Sequence, residues 1–159
     1  MKRLICCILL VGLLCGCAGR TNPDTRLTCT LEIRCDTLLD KLDQITAEKA
    51  ALVPEDGTLL ATTEVEFCGG DSVFDVFRQV LREKMIHFEY VDTSAYGSVY
   101  IEGIGNIYEF DFGPQSGWMY SVNGIHPGLG CSAYTLTDGD VIVFSYTCDL
   151  GEDLRAVYE

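Results

Sequence analysis

Between residues 72 and 84 the chain can be little other than an amphipathic helix lying on a sheet. Val73, Val76, Phe77, Val80 and Leu81 recur at i, i+3, i+4, i+7 and i+8, the apolar stripe of a helix. Ser72 stands where its side chain can cap the first turn, and Asp75 can reach back as the acid of a capping box. Arg78, Arg82 and Glu83 fall on the opposite side. On both flanks of this helix the period changes to two. Thr28 to Cys35 alternates, with Cys29, Leu31, Ile33 and Cys35 on one side, and residues 58–67 place Thr63, Val65 and Phe67 together. Downstream, His87–Tyr90, Ser98–Glu102, Ile107–Phe110, Trp118–Val122 and Val141–Tyr146 read as strands, with a tight turn at Asn123-Gly124. Asp36 to about Lys49 puts Leu38, Leu42 and Ile45 at i, i+4 and i+7, which predicts a shorter helix stopped before Pro54. Strands, one dominant helix, then more strands make an α+β fold: a mixed or antiparallel sheet with one principal helix packed on it.

The first residues have a separate character. Lys2 and Arg3 precede an apolar run over residues 4–14, too short to span a bilayer and suited to a signal-peptide core. Leu14-Cys15-Gly16-Cys17 then resembles a bacterial lipobox, which implies that Cys17 becomes the acylated N-terminus. Residues 1–16 would be the signal peptide and 17–27 the lipidated cysteine with a flexible, polar tether. A domain over 28–151 and a tail over 152–159 would follow. The acyl chains would hold the protein on the outer face of the bacterial cytoplasmic membrane. Without Lys2 and Arg3 the chain keeps 9 basic against 24 acidic residues. Such a balance excludes nucleic acid as a partner, since phosphates need Lys and Arg.

Beyond Cys17 five cysteines remain. Export to an oxidising compartment predicts disulfides, with Cys29, Cys35, Cys131 and Cys148 the candidates and Cys68 the one left unpaired. No Cys/His spacing suits zinc. Gly103-Ile104-Gly105-Asn106 lacks the lysine and the following helix of a phosphate loop. Gly113-Pro114-Gln115-Ser116-Gly117 has its serine one position out for a nucleophile elbow. His126 near Cys131 is a minimal thiol-hydrolase pair, but an oxidised Cys131 could not serve. Asp138/Asp140 and Glu152/Asp153 lack a calcium loop's ligand spacing. The expectation is therefore no enzyme, no metal and no required cofactor. Aromatic residues stand out instead: eight Tyr, seven Phe and one Trp. Trp118 and Tyr120 share a sheet face beside a Gly-Pro loop and, with Tyr100 and Tyr134, are the candidate ligand contacts.

Several blocks together resemble a known family. They are Tyr96-Gly97-Ser98, Glu102 to Asp111, Ser116 to Gly124, Tyr134-Thr135-Leu136, Asp138 to Ile142 and Tyr146 to Gly151, with Gly70 to Val76 upstream. Their order is similar to the transcobalamin C-terminal-like domain, which recurs in bacterial surface proteins and lipoproteins. The likeness spans about residues 28–151 and implies a β-grasp-like fold. In vitamin B12 carriers such a domain closes over one face of cobalamin beside a larger α-helical domain, for which 159 residues leave no room. The resemblance makes the strand around Trp118 ligand-facing and brings no catalytic residue. The reading is a lipid-anchored extracytoplasmic binding module for a soluble ligand, with a corrinoid such as cobalamin as candidate. The alternative is a protein-interaction or structural module that meets an envelope protein through sheet edges.

Overall fold

A computed structural model describes residues 26–93 and 97–158. Cys17, the signal peptide, most of the tether and Tyr96 lie outside them. Two sheets share the core. In the first, β1 (Arg26–Arg34) lies between β2 (Thr58–Cys68), which runs antiparallel to it, and β7 (Val141–Thr147), which runs parallel; β6 (Gly117–Val122) pairs antiparallel with β7 at the edge. The order β2-β1-β7-β6, with a parallel central pair, is β-grasp-like. The second sheet is antiparallel, in the order β3 (Phe88–Thr93), β4 (Ser98–Ile104) and β5 (Ile107–Tyr108).

The principal helix α2 (Val73–Glu83) forms where the stripe predicts it. The Asp75 N–H donates to Ser72 Oγ (3.2 Å), and the Ser72 N–H donates to Asp75 Oδ2 (3.0 Å), so the capping box is closed on both sides. The whole predicted stripe is buried, and Phe74 joins it because β3 covers a second flank: its ring meets Tyr90 edge-on at 4.9 Å. Phe77 fixes the helix to both sheets, its ring centroid 4.6 Å from Phe144 on β7 and 5.3 Å from Phe88 on β3. Leu31, Ile33, Ile142 and Tyr146 fill the layer beneath.

Two expectations are corrected. The helix expected over 36–49 is a 3-10 segment, Asp36–Gln44, followed by a single α-turn, α1 (Ala47–Ala50). Only Leu38 of its apolar spacing is fully buried, too little to hold a continuous helix. Ile45 and Thr46 are extended, and the Thr46 side chain caps α1 instead. The strand expected over 107–110 ends at Tyr108. Asp111 Oδ2 accepts the Tyr108 N–H (2.8 Å), the Asp111 N–H returns to the Tyr108 carbonyl (3.3 Å), and the chain turns. Phe110 is thereby left in the left-handed region, at φ 66°.

Asn123 and Gly124 make the expected tight turn, both at positive φ, and bring Val122 and Ile125 into mutual backbone hydrogen bonds. The last residues dock as well. The His126 N–H donates to Val157 O, and Tyr158 Oη donates to Leu150 O.

Candidate functional site

A cavity of about 300 Å³ lies where β4 comes against β6. Its walls are Tyr100 from β4, Gly117, Trp118 and Met119 from β6, Phe110 and Pro114 from the loop after β5, and Leu150 from the loop after β7. A smaller one of about 120 Å³ continues beyond Tyr100 and Trp118, bounded by Val99, Tyr120, Gly130 and Phe144.

Phe110 and Leu150 give the larger cavity its character. They are 61% and 63% exposed, and Leu150, like Phe110, is in the left-handed region, at φ 47°. That backbone state costs roughly 1–2 kcal/mol for a residue with a Cβ. Dense hydrogen bonding holds both. The Phe110 N–H donates to Ser116 O (3.0 Å), the Phe112 N–H to Ser116 Oγ (3.2 Å), and Ser116 Oγ to Gly113 O (2.9 Å). Tyr146, fully buried, donates its hydroxyl to Tyr108 O (2.7 Å) and lies 2.9 Å from Ser116 Oγ, pinning this loop to the core. In the other loop, Thr147 Oγ1 accepts the N–H groups of Asp149 and Gly151, Asp153 accepts from Thr147 and the Cys148 N–H, and the Leu150 N–H donates to Gln115 O. Gly151 has φ +93°, and a Cβ there would stand 2.5 Å from Tyr158 Oη and 3.1 Å from Met119 Sδ. Only glycine lets the chain pass at that point.

Three of the four aromatic candidates come together. Tyr100 borders both cavities, 43% exposed, its hydroxyl donating to Glu109 Oε2 at 2.6 Å. Burial, then the Glu109 carboxylate, pushes the Tyr100 phenol upward, so it stays protonated. Trp118 also borders both, but it is no exposed platform. Its residue is 7% exposed, Nε1 donates to Ile107 O (2.8 Å), and the ring meets Tyr146 edge-on at 5.2 Å. Trp118, Tyr120 and Val122 face the core because their partners on β7, Tyr146, Phe144 and Ile142, are the sheet's buried residues. Tyr120 stacks on Phe144 at 5.7 Å and donates to Leu129 O, so it walls the small cavity. Tyr134 lies elsewhere, its carbonyl accepting the Val73 N–H at the start of α2. Phe110 and Leu150 escape sequence reasoning because apolar loop residues carry no periodic signal. The Gly-Pro loop and the glycine after Leu150 are the only local hints.

The disulfide expectation is corrected: Cys29, Cys35, Cys68, Cys131 and Cys148 are all free thiols. Each has different company. Cys29 pairs across the sheet with Val65, Cys131 points at Val99 O, and Cys148 sits beside Lys41 and Thr37. Cys29 lies within β1 and Cys35 just past its end, six positions on, which at strand rise separates them by up to about 20 Å. Burial, the main cause, pushes the Cys29 thiol up to about 11 and those of Cys35 and Cys131 to about 12. The fold thus favours the protonated thiol. Its contribution is complete below the unfolded thiol's value, about 8.5, and is lost as pH rises through the folded values. Calorimetry should show the melting temperature falling steadily above about pH 9. A thiol reagent should label exposed Cys68 in the native protein, and Cys29, Cys35 and Cys131 only after denaturation. Labelling of Cys131 in the native state would refute its burial.

Among the described residues no group of three His, Cys, Asp or Glu is placed to hold a metal ion. His126 is buried against Tyr158, and burial lowers its tendency to take a proton. Among those residues no helix is long and apolar enough to cross a membrane.

Residues 70–148 match the model of a domain of unknown function, DUF4430. No curated protein matches the chain. Among solved structures, haptocorrin in complex with Cbi is similar at a TM-score of 0.58 and 14% identity, over 82% of this chain. The chain spans 27% of that protein's length, and the likeness is one of fold. A protein from Ruminococcus gnavus, described as a candidate metal-binding protein, aligns with 76% of this chain and 96% of its own, at 15% identity and a TM-score of 0.42.

Proposed function

We propose that this protein is a lipid-anchored binding module on the outer face of the bacterial cytoplasmic membrane, holding a soluble ligand in the cavity between β4 and β6. One observation carries the reading. Phe110 and Leu150, two large apolar residues in a costly backbone state, are held at the mouth of one apolar cavity by loops built around Ser116, Tyr146 and Thr147. Strain and solvent-exposed apolar surface in the same place are what a binding site retains.

A corrinoid is the first ligand to try, since the fold is shared with haptocorrin, solved with Cbi. A cavity of about 300 Å³ is at the small end for a ligand pocket, so it would grip an edge or side arm of such a ring. Cobinamide and cobalamin are to be titrated by calorimetry and by Trp118 fluorescence. Binding should weaken about tenfold or more in Phe110→Ala/Leu150→Ala, because two apolar contacts of about 1 kcal/mol each are lost. The melting temperature should hardly move, both side chains being exposed. Flat titrations of the parent chain would eliminate the corrinoid version, and undiminished binding by the double variant would put the ligand elsewhere.

The anchor rests on Lys2-Arg3, the apolar run and Cys17; Cys17→Ala should shift the protein from the detergent to the aqueous phase. Binding rather than catalysis fits a Cys131 thiol held protonated and a His126 ring held buried. A second reading, docking of an envelope protein, is favoured by β2 and β3, which are outer strands; Tyr90 and Val91 on β3 are exposed. Capture of such a partner with equal strength by the double variant would favour it.

A further inference from the structure

The charge around the cavity narrows what can enter it. Glu109 precedes Phe110 on the same pinned loop, its N–H donating to Glu102 O (2.9 Å). It is not itself a lining residue but stands beside two that are: a Cβ placed on Gly117 would be 3.7 Å from both Glu109 Cβ and Tyr100 Oη, and Tyr100 Oη is 2.6 Å from the Glu109 carboxylate. Glu109 is half-buried, takes one hydrogen bond from Tyr100, and forms no ion pair among the described residues. Lys49, which reaches this loop, is committed to Asp111 at 2.7 Å and to the face of Tyr108. The charged groups that act on the Tyr100 hydroxyl are Glu109 and Glu102, both negative. A carboxylate hydrogen-bonded to a lining residue and without a cation of its own attracts a positive ligand. Beside it stand the aromatic residues Tyr100, Phe110 and, largely buried, Trp118, and aromatic rings attract alkylated ammonium ions. The chain's net charge of −13 would draw such an ion in and repel an anion.

We propose that the cavity between β4 and β6 takes the apolar, positively charged part of a ligand, an alkylated ammonium or a similar soft cation, with Tyr100, Phe110 and Trp118 around it and Glu109 as its counter-charge. This rests on the cavity being the ligand site and holds for whatever larger molecule carries the cation.

Choline and neohexanol, its neutral carbon isostere, separate charge from shape. Each is titrated into the purified full chain in non-ionic detergent, following the Trp118 indole N–H and Leu150 methyl resonances. Choline should bind about tenfold more tightly than neohexanol at low salt. Glu109→Gln should shrink that preference to about threefold or less while leaving neohexanol binding unchanged. Tyr100→Phe keeps the ring and frees the carboxylate from its hydrogen bond, so choline binding should hold or tighten. Equal binding of the two probes, or a preference that survives Glu109→Gln, overturns the cation inference and leaves the cavity as an apolar site. If neither probe moves these resonances at millimolar concentration, both the inference and the cavity reading fall.

Discussion

Trp118→Ala is expected to lower the free energy of unfolding by about 3–5 kcal/mol, the range for deleting a buried aromatic side chain. The indole separates the two cavities, so its removal would merge them into one void lined by Tyr100, Tyr120, Tyr146 and Phe144. It would also remove the hydrogen bond that the Ile107 carbonyl accepts from Nε1. Urea denaturation measures the loss. Trp118→Phe isolates the hydrogen bond, keeping most of the volume, and should cost about 1–3 kcal/mol. A loss below about 1 kcal/mol for the alanine variant would show that the ring is not core at all. The practical consequence is that loss of binding in Trp118→Ala would say nothing about contact with a ligand. Phe110 and Leu150 are the positions where binding and stability come apart.

Tyr146→Phe should be nearly as informative for its size. One oxygen atom is removed, in a fully buried site where it satisfies Tyr108 O and meets Ser116 Oγ. We expect a loss of about 0.5–1.5 kcal/mol, since the Tyr108 carbonyl keeps the longer bond from the Asp111 N–H and loses its shorter one. The more specific result should come from hydrogen exchange. Amides of Phe110, Phe112 and Ser116 should open faster than those of α2 or β1, because the hydroxyl ties that loop to the sheet. Uniformly raised exchange, with no local excess, would mean that Tyr146 stabilises the domain but does not hold the site.

The sheet and its helix were legible because their signals are periodic. The stripe from Val73 to Leu81 and the capping box at Ser72 and Asp75 specify α2 with no tertiary information. Trp118, Tyr120 and Val122 could be placed on one face by alternation. Alternation does not tell which face of a sheet meets the helix; that depends on Phe144 and Tyr146, a strand contributed from far along the chain. The cysteines misled for a related reason. Their number and the leader suggested oxidation, yet a buried thiol also behaves as a small apolar side chain, and Cys29, Cys35 and Cys131 are used that way. The site's rim was the least legible. Phe110 and Leu150 owe their places to backbone hydrogen bonds accepted by Ser116, Asp111, Thr147 and Asp153, polar residues whose spacing resembles that of any loop.

The strand order has a consequence for how the chain acquires its structure. β1, near the start, and β6 both obtain a neighbour from β7, which ends at Thr147. Until that segment exists, β6 has no sheet to join, and β1 has only β2, a two-stranded ribbon too slight to persist alone. α2 likewise lacks Phe144, against which Phe77 packs. Assembly must therefore wait for contacts spanning more than a hundred residues, and loop closure over that distance makes it slow. A growing chain of this kind cannot complete its first sheet until β7 has appeared, whereas the local pairs of β3, β4 and β5 need no later segment.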